Sequence, residues 1–300
     1  MEGDELIRMA PYLLPLCTRV WLKAIRSMHW SWPKWCAILD EVLNVPKYAS
    51  HFMDIIQELD AGKNIIHFGI RYLNHIAKDI REMDERGLSA FRNLIILFTV
   101  CFSTGTFLNV PFLQNGGAAV TVRALRALCS SRKVVKHVSS SSPDFTKLMI
   151  LTACTTTFLR DSLSGTLGIP DALGAGLLSI MIKAERFHSY EFDHDSPMTS
   201  FDLDYTVWSS FVSLLNQISL FVVYPSVLRH IAKAAKSGLA FGPRTVKELQ
   251  ISWEKCKQRA LEMQAVYSSV KQTGLLCCFL DVCVAFQFSE IRMLTLLVDN

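Results

Sequence analysis

Three cysteines fall close together near the end of the chain, Cys277, Cys278 and Cys283, in the stretch "LLCCFLDVC". Thiolates at such spacing serve as zinc ligands in small finger domains, but zinc closes a tetrahedron with four Cys or His side chains. The residues that follow, "VAFQFSEIRMLTLLVDN", contain neither type. Cys278 and Cys283 are therefore read as a weak two-ligand remnant at most, and the three thiols as packing groups. A second cluster lies in "HSYEFDHDSPMTSFDLD", where His188, Glu191, Asp193, His194, Asp195, Asp202 and Asp204 offer hard-metal oxygens or a His pair. The stretch lacks the glycine and the closing glutamate of a calcium loop. A solvated loop is the expected reading, and no metal or cofactor is expected to bind.

Motifs for catalysis are missing in the same way. "AGKN" at 61–64 has neither the upstream glycine nor the Ser or Thr of a phosphate-binding loop. The glycines of "SGTLGIPDALGAG" at 164–176 are spaced for turns, and no strand precedes them as a dinucleotide fold requires. There is no G-x-S-x-G elbow and no H-E-x-x-H pair. The sequence thus predicts a protein that is not an enzyme.

Half of the residues are apolar, 19% are charged, and the net charge is +4. Such a chain can bury a large core, and its small positive excess does not predict nucleic acid as a partner. Arg123, Arg126, Arg132, Lys133 and Lys136, and later Arg229, Lys233 and Lys236, sit at helical spacings beside apolar residues. They read as solvent faces that an acidic partner could use. The nine cysteines lie mostly singly in apolar stretches, which predicts reduced, buried thiols in a cytoplasmic or nuclear protein. The opening "MEGDELIRMA" is acidic and has no apolar run, so no cleaved secretory signal is expected.

The elements that carry these residues read as helices, because spacings of three and four recur while period-two alternation is scarce. Candidate helices at 4–29, 34–44, 49–60 and 63–86 are separated by breaks near "SWP", Pro46, Gly62 and Gly87. Ile55, Leu59, Ile65, Ile66, Ile70, Leu73 and Ile76 mark their packed faces, and Trp21, Trp30, Trp32 and Trp35 are expected to pack in or cap that region. Residues 93–122 and 205–228 carry no charge, so spans near 93–113 and 205–228 form the alternative of an integral membrane protein. Gly105, Asn109, Pro111 and the Asn-Gly-Gly at 115–117 instead predict two helices joined by a turn. In the second stretch Ser209, Ser210, Ser213, Asn216 and Gln217 form a narrow wet stripe on a buried helix. The membrane reading is accordingly the disfavoured one.

A loose repeat follows: "NLIIL" at 93–97 is echoed by "KLMIL" at 147–151, and "GGAAVTVRAL" at 116–125 by "GAGLLSIMIKA" at 174–184. A unit of two apolar helices around a glycine turn must stack on neighbours to bury its face, which predicts an all-α, armadillo-like α-solenoid. The capping box "TVKE" at 245–248 opens a long helix. Its seam of Val246, Leu249, Trp253, Cys256, Ala260, Met263, Tyr267 and Val270 is expected to dock on the last layer rather than pair with a second chain. The predicted organisation is an N-terminal helical region at 1–90, helical repeats at 91–244, the long helix at 245–273, and a Cys-containing apolar tail at 274–300. The partner expected of such an array is a protein or peptide lying in a groove between its helices.

The stretches "AGLLSIMIKA" (175–184), "YPSVLRHIAKAAKS" (224–237), Trp253 and "KQRALEMQAVYSSVKQTGLLCCFLDVC" (257–283) together resemble the region upstream of the MYND-type zinc finger in a large family from mushroom-forming fungi. The resemblance covers about the last two thirds of the chain, and order and spacing carry it. It implies an armadillo-like helical array, a Trp-led charged helix and a C-x4-C pair, which Cys278 and Cys283 would occupy. Leu280 stands where the family usually has Asn, and the finger's own ligands have no counterpart. The resemblance therefore implies a truncated or divergent member with a protein-binding role.

Overall fold

The computed structural model describes residues 12–27, 32–43, 46–80, 85–104, 106–130, 143–163, 165–184, 207–241 and 247–272. Several prolines that read as breaks open helices here, because a residue in the first helical turn has no use for its N–H. After α1 (Leu13–Arg26), Pro33 lies in the first turn of α2 (Trp32–Leu43) and Pro46 is the first residue of α3 (Pro46–Glu58). Next come α4 (Gly62–Asp79), α5 (Glu85–Thr104), α6 (Thr106–Gln114) and α7 (Gly117–Ser130). The rest are α8 (Pro143–Ser162), α9 (Ile169–Gly174), α10 (Leu177–Lys183), α11 (Val207–Leu220), α12 (Pro225–Lys236) and α13 (Lys247–Gln272). The fold is all-α, with no strand among the described residues.

Two sequence expectations are corrected at this level. Gly87 does not end a helix but sits in the first turn of α5, and Asn109 and Pro111 lie inside α6, so 93–122 spans parts of three helices rather than two. The turn between α3 and α4 is made by Asp60, with φ 46°, and not by Gly62. The Ala61 N–H donates to the Ile56 carbonyl and the Asp60 N–H to the Gln57 carbonyl, both at 3.0 Å. That is the bonding of a Schellman stop, which normally places glycine at the left-handed position. Asp60→Gly is expected to stabilise the protein by about 1 kcal/mol. Urea unfolding of the two forms measures it, and an unchanged midpoint would remove the strain argument.

The helices pack in two rows. In one, α1 touches α4, α4 touches α7, α7 touches α9 and α10, and α9 touches α12. In the other, α2, α5, α8, α11 and α13 meet in that order. The rows face each other where α1 meets α2, α7 meets α8 and α12 meets α13. The connecting helix α3 rests on α1, α2 and α5, and α6 fills the corner between α4, α5 and α7. The expected packed face at 55–76 is largely in place: Ile55, Ile65, Ile66, Leu73 and Ile76 are buried, whereas Leu59 is 39% exposed beside the Asp60 turn.

Aromatic rings fill the junctions between rows. Phe102, Phe112 and Phe158, from α5, α6 and α8, meet edge to face with centroids 4.9 to 5.6 Å apart, and Phe98 adds a fourth ring 6.0 Å from Phe158. Two glycines make room for them. A Cβ on Gly69 would lie 2.7 Å from the Phe98 ring, and one on Gly117 2.4 Å from Phe112. Near the N-terminus the Trp21 indole is fully buried against Phe52 and donates to Cys36 Sγ at 3.1 Å. The expectation that this tryptophan packs in the core is met.

Candidate interaction surface

The terminal cysteines Cys277, Cys278 and Cys283, the loop from His188 to Asp204 and the cap residue Thr245 lie outside the described residues. Among the described residues, no group of three or more His, Cys, Asp or Glu side chains is placed to hold a metal ion. The cysteines that are described form no disulfide, and most of them are buried. Burial raises the pKa of Cys17, Cys101 and Cys256 above the ordinary 9.0, for Cys256 to about 12 with Arg259 pulling the other way. Burial also raises the Tyr72 phenol, with the Cys36 thiolate as a smaller cause.

These groups keep their protons in the folded state where the unfolded chain releases them. Their contribution is complete below about pH 9 and is lost as pH climbs toward the folded values. Unfolding free energy is expected to be level between about pH 7 and pH 8.5 and to fall by about 1 kcal/mol or more by about pH 10. Urea titrations across that range check it, and a rise with pH would contradict the burial of the thiols.

The wet stripe of α11 proves to be an interhelical seam. Thr157 Oγ1 and Ser210 Oγ are 3.4 Å apart, Arg160 Nη1 donates to Ser213 Oγ at 3.2 Å, and Gln217 Nε2 donates to the Leu163 carbonyl at 3.3 Å. The pairs climb both helices together, so α8 and α11 run parallel at an offset of 53 to 54 residues. Thr152, Thr155 and Thr156 give their hydroxyls to carbonyls four residues back, at 2.7 to 2.8 Å. A hydroxyl held in this way is a spacer and a register pin.

The long helix docks, as expected from its seam. Leu249, Trp253, Cys256 and Ala260 are buried, and Met263 and Tyr267 pack partly against the core. The Trp253 indole donates to the Leu239 carbonyl at 3.2 Å and meets Phe241 edge to face, while the Tyr267 hydroxyl donates to the Val223 carbonyl at 2.6 Å. No single described helix is long and apolar enough to cross a membrane. The stretch 93–113 is divided between α5 and α6; these form the one bent pair that passes by length and composition, with a 116° angle at the break. The stretch 205–228 is divided between α11 and α12.

Apart from Leu16 on α1, what remains outward on the first row is mostly polar. On α4, His67, Arg71, Asn74, His75 and Lys78 border a shallow depression of ≈ 460 Å³, and His75 Nδ1 lies 2.7 Å from Asp79 Oδ2. On α7, the Arg126 guanidinium reaches across to donate to the Ala175 carbonyl, at the C-terminal end of α9. A cation there satisfies an orphan carbonyl and opposes the negative end of the helix. It ties two neighbours of the row together. Gly176, with φ +90°, stands against this guanidinium, and a Cβ there would lie 2.6 Å from Nη2. Sequence reasoning placed Arg126 on a solvent face and missed this bridge, because nothing in the local pattern shows which helix end lies opposite. The chain matches no family model, no curated protein and no solved structure.

Proposed function

We propose that the protein is a non-enzymatic scaffold, an armadillo-like α-solenoid that binds protein segments on the surface of its helical array. The observation that carries the reading is the order of contacts: along the second row each helix meets the one before and the one after it, and the first row runs through α1, α4, α7, α9 and α12, with α10 beside α7 and α9. An array that grows by one layer at a time leaves long continuous faces, and such faces suit extended polypeptides. The seam offset of 53 to 54 residues between α8 and α11 matches the interval between the echoed segments "NLIIL" and "KLMIL", which supports a repeat. The Trp253-led helix docked on the last layer supports kinship with the MYND-type zinc finger proteins of mushroom-forming fungi, and a cytoplasmic or nuclear scaffold fits that kinship.

Small-angle scattering tests the architecture. A compact protein of this length would have a radius of gyration of about 19 Å, and a stacked array is expected to exceed it clearly. A compact value would sink the solenoid. Affinity capture from cell extract tests the role, and catalytic turnover without a stable protein partner would count against it. Resistance of the membrane-bound fraction to carbonate would favour the competing membrane protein with spans near 93–113 and 205–228.

A further inference from the structure

Charge is divided unequally between the two rows. The first-row helices α1, α4, α7, α9, α10 and α12 carry twelve Lys or Arg side chains against two acids, Asp79 and Asp171. The second-row helices α2, α5, α8, α11 and α13 carry ten against eight. The whole chain is only +4, so the excess on the first row is a matter of placement and not of composition.

Each cation of the first row is exposed, and the spacing puts them on one stripe per helix. Arg19, Lys23 and Arg26 line α1; Lys63, Arg71 and Lys78 line α4, with His67 and His75 between them. Arg123 and Arg126 continue the line on α7 and Lys183 on α10, and Arg229, Lys233 and Lys236 complete it on α12. Asp79 is engaged by His75. The nearby acids Asp54 and Glu58 belong to α3, which rests on α1, α2 and α5. Because α1, α4 and α7 touch in succession, their stripes lie on adjacent helices; beyond α7 the row passes through α9, whose one charged side chain is Asp171, before the cations of α12.

We propose that this face binds an acidic, extended polypeptide segment of a partner protein. The inference rests on the array reading above. Neighbouring helix axes lie about 8–10 Å apart, and an extended chain advances about 3.3 Å per residue. Across α1, α4 and α7, carboxylates at every third position therefore match the step from one cationic stripe to the next. The shallow depression on α4, bordered by Arg71 and Lys78 and also by Asp79, lies on the second helix of the row along the path of such a segment.

The same face is poorly made for the other polyanions. Single-stranded nucleic acid is held by aromatic platforms between the cations, and an anionic membrane by a band of large apolar side chains beside them. Among the described residues of these helices, Leu16 is the one large apolar side chain strongly exposed, with Tyr12 just ahead of α1.

The test uses the full chain and a labelled peptide of about fifteen residues, with Glu at every third position among Ser and Gly. Binding is read by fluorescence anisotropy at about 50 mM salt and again at physiological salt, where screening is shorter-ranged. The triple variant Arg71→Glu, Arg123→Glu, Lys233→Glu is expected to weaken binding by about tenfold or more. Its Gln counterpart is expected to weaken it less. The variant Lys255→Glu, Arg259→Glu, Lys271→Glu, with the same change of net charge on α13, should stay within about twofold of the parent. Circular dichroism verifies that all three remain folded.

Equal losses from both Glu variants, or no peptide binding, would overturn the proposal. So would tighter binding of an oligothymidylate of matched charge, or capture by phosphatidylserine vesicles that the first-row variant abolishes. Scattering separates the two levels: an extended particle that ignores the peptide removes this inference alone, whereas a compact particle removes the array beneath it.

Discussion

Replacing Phe158 with alanine is expected to lower the unfolding free energy by about 3–5 kcal/mol. The ring is fully buried, and it touches all of Phe98, Phe102 and Phe112. Its removal leaves a cavity where α5, α6 and α8 converge, and the surrounding helices cannot close it. They are held elsewhere, α8 by the seam with α11 and α6 by its corner against α4 and α7. Typical domains have about 5–15 kcal/mol in total, so the variant should unfold at markedly lower urea, with an early loss of helical circular dichroism. A shift below about 1 kcal/mol would mean that the four rings do not form one packed unit.

Trp253→Ala is expected to act differently, although its side chain is as large and as well buried. Its cost is also about 3–5 kcal/mol, but it falls on the last helix of the second row, which only α11 and α12 support to any extent. The indole's donation to Leu239 and its contact with Phe241 disappear together, and the Lys257 ammonium loses the ring it lies over. Limited proteolysis should cut within 247–272 before anywhere else, leaving the preceding layers folded. Trp253→Phe should restore most of the packing and lose about 1 kcal/mol for the hydrogen bond. Global unfolding of the alanine variant in a single step with Phe158→Ala-like loss of all helices would contradict the layered description.

The helical class and the docking face of α13 were legible in the sequence, because each depends on spacing within one segment. Trp253, Cys256 and Ala260 announce an inward face wherever the helix docks. The neighbour is another matter. The stripe on α11 was readable as polar, but not as the partner of Thr157 and Arg160, since a periodic pattern says which side turns inward without saying what it meets. Asp60 was invisible for a related reason: glycine two residues later is the better left-handed residue, and only the bonds from Ala61 and Asp60 back to Ile56 and Gln57 show where the chain reverses.

The candidate surface was hidden by the same distance effect. Arg71, Arg123 and Lys233 are each separated by about fifty or more positions, so in the sequence they look like scattered solubilising charges. Packing of α4, α7, α9 and α12 in succession brings their helices side by side. The terminal cysteines, which first drew attention, lie outside the described residues. Their expected role as packing groups rests on the sequence alone.

The order of contact along the chain also has a meaning for biosynthesis. Within each row, the N-terminal neighbour of every helix has already been made when that helix leaves the ribosome. Folding can therefore keep pace with translation, nucleating on the early layers and extending at the growing end. A nascent chain arrested after α8 should already protect α5 from protease, long before α13 is synthesised.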